Sequence, residues 1–253
     1  MKFLIISRAR SGSHMLSSML DSHPDLTCFG EAMDIPWLDR LQEGQGAMIK
    51  YNHVHDQALL TADFPFRLIH LVRKDLLELA ISNLLLKHAV KTGGKLPYHK
   101  VHTDAGDLLI WDCDRKGKPC KGEKTPGVLR VERTKNRYKY TTEKQEDFPI
   151  ELLTPVSLSS LMSRLSDEIL PWHQFLKDKA LTVFYEDIVG SSRETSVMPE
   201  SVSRRICKYL GVAQHAMTTP FKKVNKYEQR VLPRKIRHLN LQLRNQYLNA
   251  LLT

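Results

Sequence analysis

The chain has few cysteines: Cys28, Cys113, Cys120 and Cys207 in 253 residues. They are too few and too scattered for a disulfide framework. Cys113 and Cys120 could pair across a turn, or join His99 and His102 at a metal, but their spacing matches no standard zinc set. Free thiols and no metal are the expectation. Long apolar runs are lacking too. No run reaches the about 18 residues of a membrane helix, and no basic segment leads into an apolar one near residue 1, as in a secretory signal. A cytoplasmic chain without membrane contact is expected. No internal repeat is present, which excludes solenoids and propellers. No GxxxxGK[ST] occurs, so the usual Walker A route to ATP is absent. Acidic residues are in deficit, 28 against 38 Lys and Arg, giving a net charge of +10 and a pI near 9.4. That excess suits a polyanionic partner: a nucleotide with several phosphates, nucleic acid or an acidic surface.

What is present reads as a soluble globular protein, 42% hydrophobic and 26% charged, long enough to bury one sizeable core. A single domain over 1–253 is expected. The most informative segment is residues 3–20, FLIISRARSGSHMLSSML. An apolar strand, Phe3–Ile6, runs into a loop of Arg, Ser and Gly, which opens a helix with Met15, Leu16, Met19 and Leu20 on one face. A helix N-terminus offers unpaired N–H groups and a positive dipole end, so an anion docks there. Gly12 lets the backbone approach closely, Arg8 and Arg10 add charge, and Ser11 and Ser13 add hydroxyl donors.

Strand-like and helix-like segments then alternate, which argues for a parallel α/β sheet flanked by helices. A helix over 13–22 is stopped by Pro24, and Leu26–Phe29 is a short strand. Asp34–Leu41 is helical in pattern, with Gly44 and Gly46 ending it. Met48–Tyr51 is a candidate strand and Asp56–Leu60 a helical turn. Arg67–Val72 is a strong strand, and Asp75–Val90 a long helix with Asp75 near its N-cap, ended by Gly93-Gly94. Residues 93–150 break the rhythm. Leu108–Cys113, Val128–Thr134 and Arg137–Thr142 alternate like short strands, with 114–119 and 135–137 as hairpin turns. An inserted β-hairpin region is expected there, either a solvated surface or a lid or acceptor-recognition insert. Ser157–Leu176 reads as a helix that Pro171 should break or kink. Ala180–Tyr185 reads as a strand, Pro199–Leu210 as a helix ended by Gly211, and Pro233 to Leu252 as a terminal helix.

Ala9-Arg10-Ser11-Gly12-Ser13-His14 resembles the 5′-phosphosulfate loop of sulfotransferases. The run from Leu16 to Glu31, LSSMLDSHPDLTCFGE, is similar to the L-x-x-HPD…E stretch of carbohydrate and bacterial members. The resemblance implies a P-loop NTPase-like sulfotransferase fold. It also implies an enzyme that moves a sulfuryl group from 3′-phosphoadenosine-5′-phosphosulfate (PAPS) to a hydroxyl of a carbohydrate, glycolipid or small metabolite. It implies that Arg8, Arg10, Ser11, Gly12, Ser13 and His14 hold the 5′ end of the donor. Arg73 and Ser82, at a strand end and on the helix after it, resemble the 3′-phosphate motif, with Lys74 a possible sharer. Ser82 stands nine positions after Arg73, where the common form has eight. Tyr185-Glu186-Asp187 is similar to the family's Y-E-D, whose Tyr packs on the adenine. Lys223 and Asn225 fall in a late basic loop that lacks the familiar glycines.

Sulfuryl transfer builds charge on the leaving 5′-phosphate, so fixed cations must meet it. Arg10 occupies the family's place at the bridging oxygen, and Lys50 could assist at the sulfuryl oxygens. The protein's cations can supply this neutralisation without a metal. Two residues compete as base: Glu31, on its motif, and His53, whose segment loosely resembles the K-T-H of small-molecule sulfotransferases and whose unperturbed pKa is better suited. Glu31 is favoured, with burial needed to raise its pKa. Two rival classes remain. A nucleotide kinase or other P-loop phosphotransferase lacks support from a Walker A lysine. A nucleic-acid-binding protein using the basic middle segment would bind polyanions without discrimination.

Overall fold

The computed structural model describes residues 1–32, 38, 41–51, 54, 65–91, 100–102, 108–111, 129–134, 137–139, 154–189, 197–219 and 233–253. Its elements, in order, are β1 (Lys2–Ser7), α1 (Ser13–Asp21), β2 (Thr27–Glu31), β3 (Gln45–Lys50), β4 (Phe66–Val72), α2 (Leu76–Lys91), β5 (Lys100–His102), β6 (Leu108–Trp111), β7 (Leu129–Thr134), β8 (Arg137–Lys139), α3 (Pro155–Leu176), β9 (Ala180–Phe184), α4 (Tyr185–Val189), α5 (Glu200–Leu210), α6 (Arg234–Arg237) and α7 (Leu241–Leu252). Five strands form a parallel sheet in the order β2-β3-β1-β4-β9. The α/β architecture expected from the alternating segments is thus present.

The three central strands, β3, β1 and β4, are buried on both faces because they are mostly apolar rather than alternating, while the edge strands β2 and β9 are partly exposed. Leu4 and Ile6 of β1 join a core with Leu77 and Ile81 of α2, Leu161 and Leu165 of α3, and Tyr247 of α7. Phe3 and Ile5, pointing the other way, join Leu16 and Leu20 of α1 and Ile206 of α5. Both sets are fully buried, or nearly so. Each such side chain contributes about 1.5–3 kcal/mol.

Several boundaries differ from expectation, each for a local reason. Gly46 does not end a helix: it lies inside β3, opposite Phe3. A Cβ there would fall 2.3 Å from the Phe3 ring, so the glycine makes room for an aromatic on the neighbouring strand. β2 extends through Glu31, which is therefore the strand's last residue and not a loop residue. Tyr185 opens α4 and does not end β9. Pro171 does not break α3, which runs unbroken from Pro155 to Leu176. The ring costs about 3 kcal/mol in a helix interior, and the burial of Ile169, Trp172, His173 and Leu176 around it offsets that cost. The terminal helix is divided in two, at Asn240, whose φ of 46° is left-handed.

Asp75 caps α2 as expected, its Oδ1 accepting from the Glu78 N–H at 3.0 Å. In the 93–150 region, β7 and β8 pair antiparallel, as a hairpin requires. β6 and β7 pair parallel, so these two strands are not the arms of one tight hairpin, because parallel neighbours need a crossover connection; the expected turn over 114–119 lies outside the described residues. The expected helical turn at 56–60 and the Gly93-Gly94 stop lie outside the described residues, as does most of the Asp34–Leu41 helix.

Candidate functional site

Every strand of the parallel sheet ends, on the same side, at or next to a residue singled out above. β2 ends at Glu31 and β3 at Lys50. β1 leads into Arg8, β4 into Arg73 and β9 into Tyr185. Register holds these ends level: Ser7 lies between Lys50 and Leu71, and Val72 beside Phe184. An irregularity between Cys28 and Glu31 brings Glu31 beside Met48. From β1 the chain turns to one side, through α1 to β2, and from β4 to the other, towards β9. Ligands of open parallel sheets bind beyond the strand C-termini at such a reversal.

The loop between β1 and α1 is shaped by two positive φ angles, 71° at Arg10 and 93° at Gly12. A Cβ on Gly12 would lie 2.3 Å from Tyr185 Cδ2, so only glycine fits this position. Ser11 and Ser13 are buried, and His14 is half-buried. The first N–H groups of α1 have no acceptor within the helix, as at any helix start. Arg10 Nε donates to Ser82 Oγ at 3.1 Å, joining the loop to α2. The Lys50 ammonium donates to Ser13 Oγ. Burial pulls the Lys50 pKa down to about 8; Glu31 opposes the shift and Arg10 adds to it. Burial, then Arg73, pulls the Arg10 guanidinium down to about 10, with Tyr185 opposing. Both side chains remain mainly cationic at neutral pH.

Arg73 is the most exacting group at this edge. Its side chain is 6% exposed. Its guanidinium lies over the Tyr185 ring, 4.0 Å from the centroid, and its Nη1 is 4.0 Å from Glu78 Oε2, beyond hydrogen-bond reach. Buried Nε and Nη1 have no hydrogen-bond partner. Buried donors are normally satisfied, so two on one cation mark a place for an acceptor. A phosphate matches it, since the guanidinium fork is built for oxyanions. Lys74 is otherwise engaged: its Nζ donates to Asp187 Oδ1 at 2.7 Å. Of the two adjacent cations, Arg73 is thus the one with donors to spare. Tyr185 is 4% exposed, packed between Gly12 and the Arg73 guanidinium.

Arg8 is tied down. Its Nε donates to Glu168 Oε2 at 3.0 Å, and its Nη1 donates to Asn83 Oδ1 at 2.6 Å and to its neighbour's carbonyl, Ala9 O, at 3.0 Å. These bonds anchor the loop to α3 and α2. His53, Lys223 and Asn225 lie outside the described residues.

Sequence reasoning missed Glu168, Asn83 and Tyr247, and it quoted Glu186 only as part of Y-E-D. The Glu186 carboxylate accepts from the Lys74 and Asp75 N–H groups, at 2.9 and 3.1 Å. Its place in that run was the available signal. Tyr247 donates to Arg73 O at 2.8 Å from α7, which no local pattern announces. Beneath the site, the Tyr51 hydroxyl and His70 Nε2 lie 2.6 Å apart. Burial, then His173, pushes His70 down to about 3, so its ring is neutral. Among the described residues, Cys28 and Cys207 are buried and in no disulfide, and no group of three or more His, Cys, Asp or Glu could hold a metal. No helix among them is long and apolar enough to cross a membrane.

No family model and no curated protein matches the chain. Solved structures do. The mouse sulfotransferase SULT7A1, crystallised in complex with PAP, is 13% identical with a TM-score of 0.44, over 85% of this chain and 60% of that one. The chain thus spans less than two thirds of that protein's length. A sulfotransferase from Alicyclobacillus acidocaldarius is 10% identical with a TM-score of 0.49, over 98% of this chain and 93% of that one. The chain is similar in fold to these two sulfotransferases.

Proposed function

We propose that the chain is a PAPS-dependent sulfotransferase acting on a hydroxyl of a carbohydrate, glycolipid or small metabolite. The observation that carries this reading is the buried Arg73 guanidinium, with two nitrogens lacking partners, beside a loop already equipped for one phosphate. An ordinary triphosphate site needs the loop alone. A second, separately built anion receptor suits a nucleotide phosphorylated at both ends of its ribose.

In this reading Arg73, with Ser82, holds the 3′-phosphate, and Ser11, Gly12, Ser13 and His14 hold the 5′ end through backbone N–H groups and hydroxyls. Arg10 meets charge developing on the leaving 5′-phosphate, where a fixed cation is worth most. Lys50 faces the sulfuryl oxygens. Glu31 takes the proton of the acceptor hydroxyl; His53 is the other candidate base. Arg8 holds the loop's shape. Residues 93–150 are an insert within a single domain, and the buried thiols suit a reducing compartment such as the cytoplasm.

Calorimetric titration with 3′-phosphoadenosine-5′-phosphate, ADP and ATP tests the reading. The 3′-phosphorylated nucleotide should bind tightest, and Arg73→Ala should cost about 1.5–3 kcal/mol of that binding. Tighter binding of ATP would turn the reading to a phosphotransferase. Equal binding of the 3′-phosphorylated nucleotide by wild type and Arg73→Ala would remove Arg73 from the site.

A further inference from the structure

Arg73 is held at its backbone as well as at its side chain. The Tyr247 hydroxyl donates to its carbonyl at 2.8 Å. The Glu186 carboxylate takes the next two N–H groups, those of Lys74 and Asp75. The peptide groups that set the direction of the Arg73 side chain are therefore pinned from α7 and from α4. Tyr247 is fully buried, and burial raises its pKa far above the ordinary tyrosine value, so it stays a donor at any working pH. A tyrosine in a helix core needs only to pack. This one spends its hydroxyl on a residue with two buried donors that lack hydrogen-bond partners.

We propose that Tyr247 and Glu186 are positioning residues that set the nucleotide selectivity of this site by clamping the backbone at Arg73. The proposal rests on the reading of Arg73 as the 3′-phosphate receptor and extends it to the C-terminal helix. A backbone free to shift must be ordered when the anion binds; a clamped one already holds Cα and the side chain's starting direction in place, so less ordering is left to the binding step and the affinity is higher. Only ligands that touch Arg73 gain. The clamp therefore favours adenosine 3′,5′-bisphosphate over AMP, which differs from it by the 3′-phosphate alone.

The experiment is titration of wild type, Tyr247→Phe, Arg73→Ala and the double variant with both nucleotides. Wild type should prefer the bisphosphate. Tyr247→Phe keeps the ring and its packing and should weaken bisphosphate binding about three- to tenfold, the worth of one hydrogen bond. AMP binding should stay within about twofold. With Arg73 already replaced, Tyr247→Phe should have no further effect. Equal weakening of both nucleotides, no weakening, or the same loss in the Arg73→Ala background would each overturn the proposal. Glu186→Gln provides a second arm of the same clamp, should Tyr247→Phe fold poorly, and should show the same selective loss. A wild type without preference for the bisphosphate would sink the underlying reading of Arg73, and the clamp with it. That failure is visible before any variant is made.

Discussion

At the scale of single residues, burying cations at the strand ends costs the fold stability. Lys50 is 5% exposed, with a pKa held down to about 8 against an ordinary 10.5. Between those values the unfolded chain binds more protons than the folded one, so stability rises with pH across that window. Below pH 8 the full penalty of a buried cation applies. Lys50→Met should therefore stabilise the protein by up to about 3.5 kcal/mol at pH 7, from roughly 1.4 kcal/mol per pKa unit. The gap should shrink as pH approaches 10.5, and urea denaturation at pH 7 and pH 10 reads it. An equal gap at both pH values would mean that burial of charge is not the cause. Glu31 raises the Lys50 pKa, so the two side chains interact at the C-terminal edge of the sheet, where the proposed reading puts the acceptor. Glu31→Gln should cut kcat by about 10²–10⁴ with nucleotide affinity near normal. His53→Ala should cost much less. Single-turnover sulfation of any accepted hydroxyl compound compares them; a collapse for His53→Ala beside near-normal Glu31→Gln would reverse the assignment.

At the scale of elements, the sequence was most legible where one signal dominates. β1, β4 and β9 each hold a short, mostly apolar run of the length of a strand, and Ser11, Gly12 and Ser13 mark the start of α1. All lie close to where their residues indicate. Gly46 was misread because glycine is both a terminator and a space-maker. Only the neighbouring strand's Phe3 reveals which role applies. Pro171 does not break α3, because tertiary burial outweighs a local penalty. In the site, the residues carried by loop motifs could be named beforehand. Their buttresses could not: Glu168 and Tyr247 stand 160 and 174 positions from their partners Arg8 and Arg73. A distance along the chain of that size leaves no local pattern. β3 offers a test at this scale. Gly46→Ala should cost about 1–3 kcal/mol through overpacking against Phe3. The urea midpoint should fall while the slope stays unchanged. No change in midpoint would show that the Phe3 ring moves aside freely.

At the scale of the whole molecule, one sheet serves both cores, and α2, α3 and α7 pack together on one side of it. A single cooperative unfolding transition is expected. Adenosine 3′,5′-bisphosphate at a hundred times its dissociation constant should add about 2.7 kcal/mol to the stability. Calorimetry reads both; two separate peaks, only one of which moves with nucleotide, would divide the chain into two units. The net charge of +10 should also make this affinity fall with added salt. The strand order has one more consequence, and it concerns time. β4 pairs with β9, so Val72 meets Phe184 only after a long intervening stretch has been closed into a loop. Closing it costs entropy before any contact repays it, and chains dominated by such distant pairings fold slowly. Arg73 sits at that late seam, and its carbonyl waits longer still, for Tyr247. A chain emerging from the ribosome can therefore form β1, α1 and the loop between them well before Arg73 has its neighbours on β9 and α7. On the proposed reading, selectivity for the doubly phosphorylated nucleotide is acquired only when residue 247 has joined the fold.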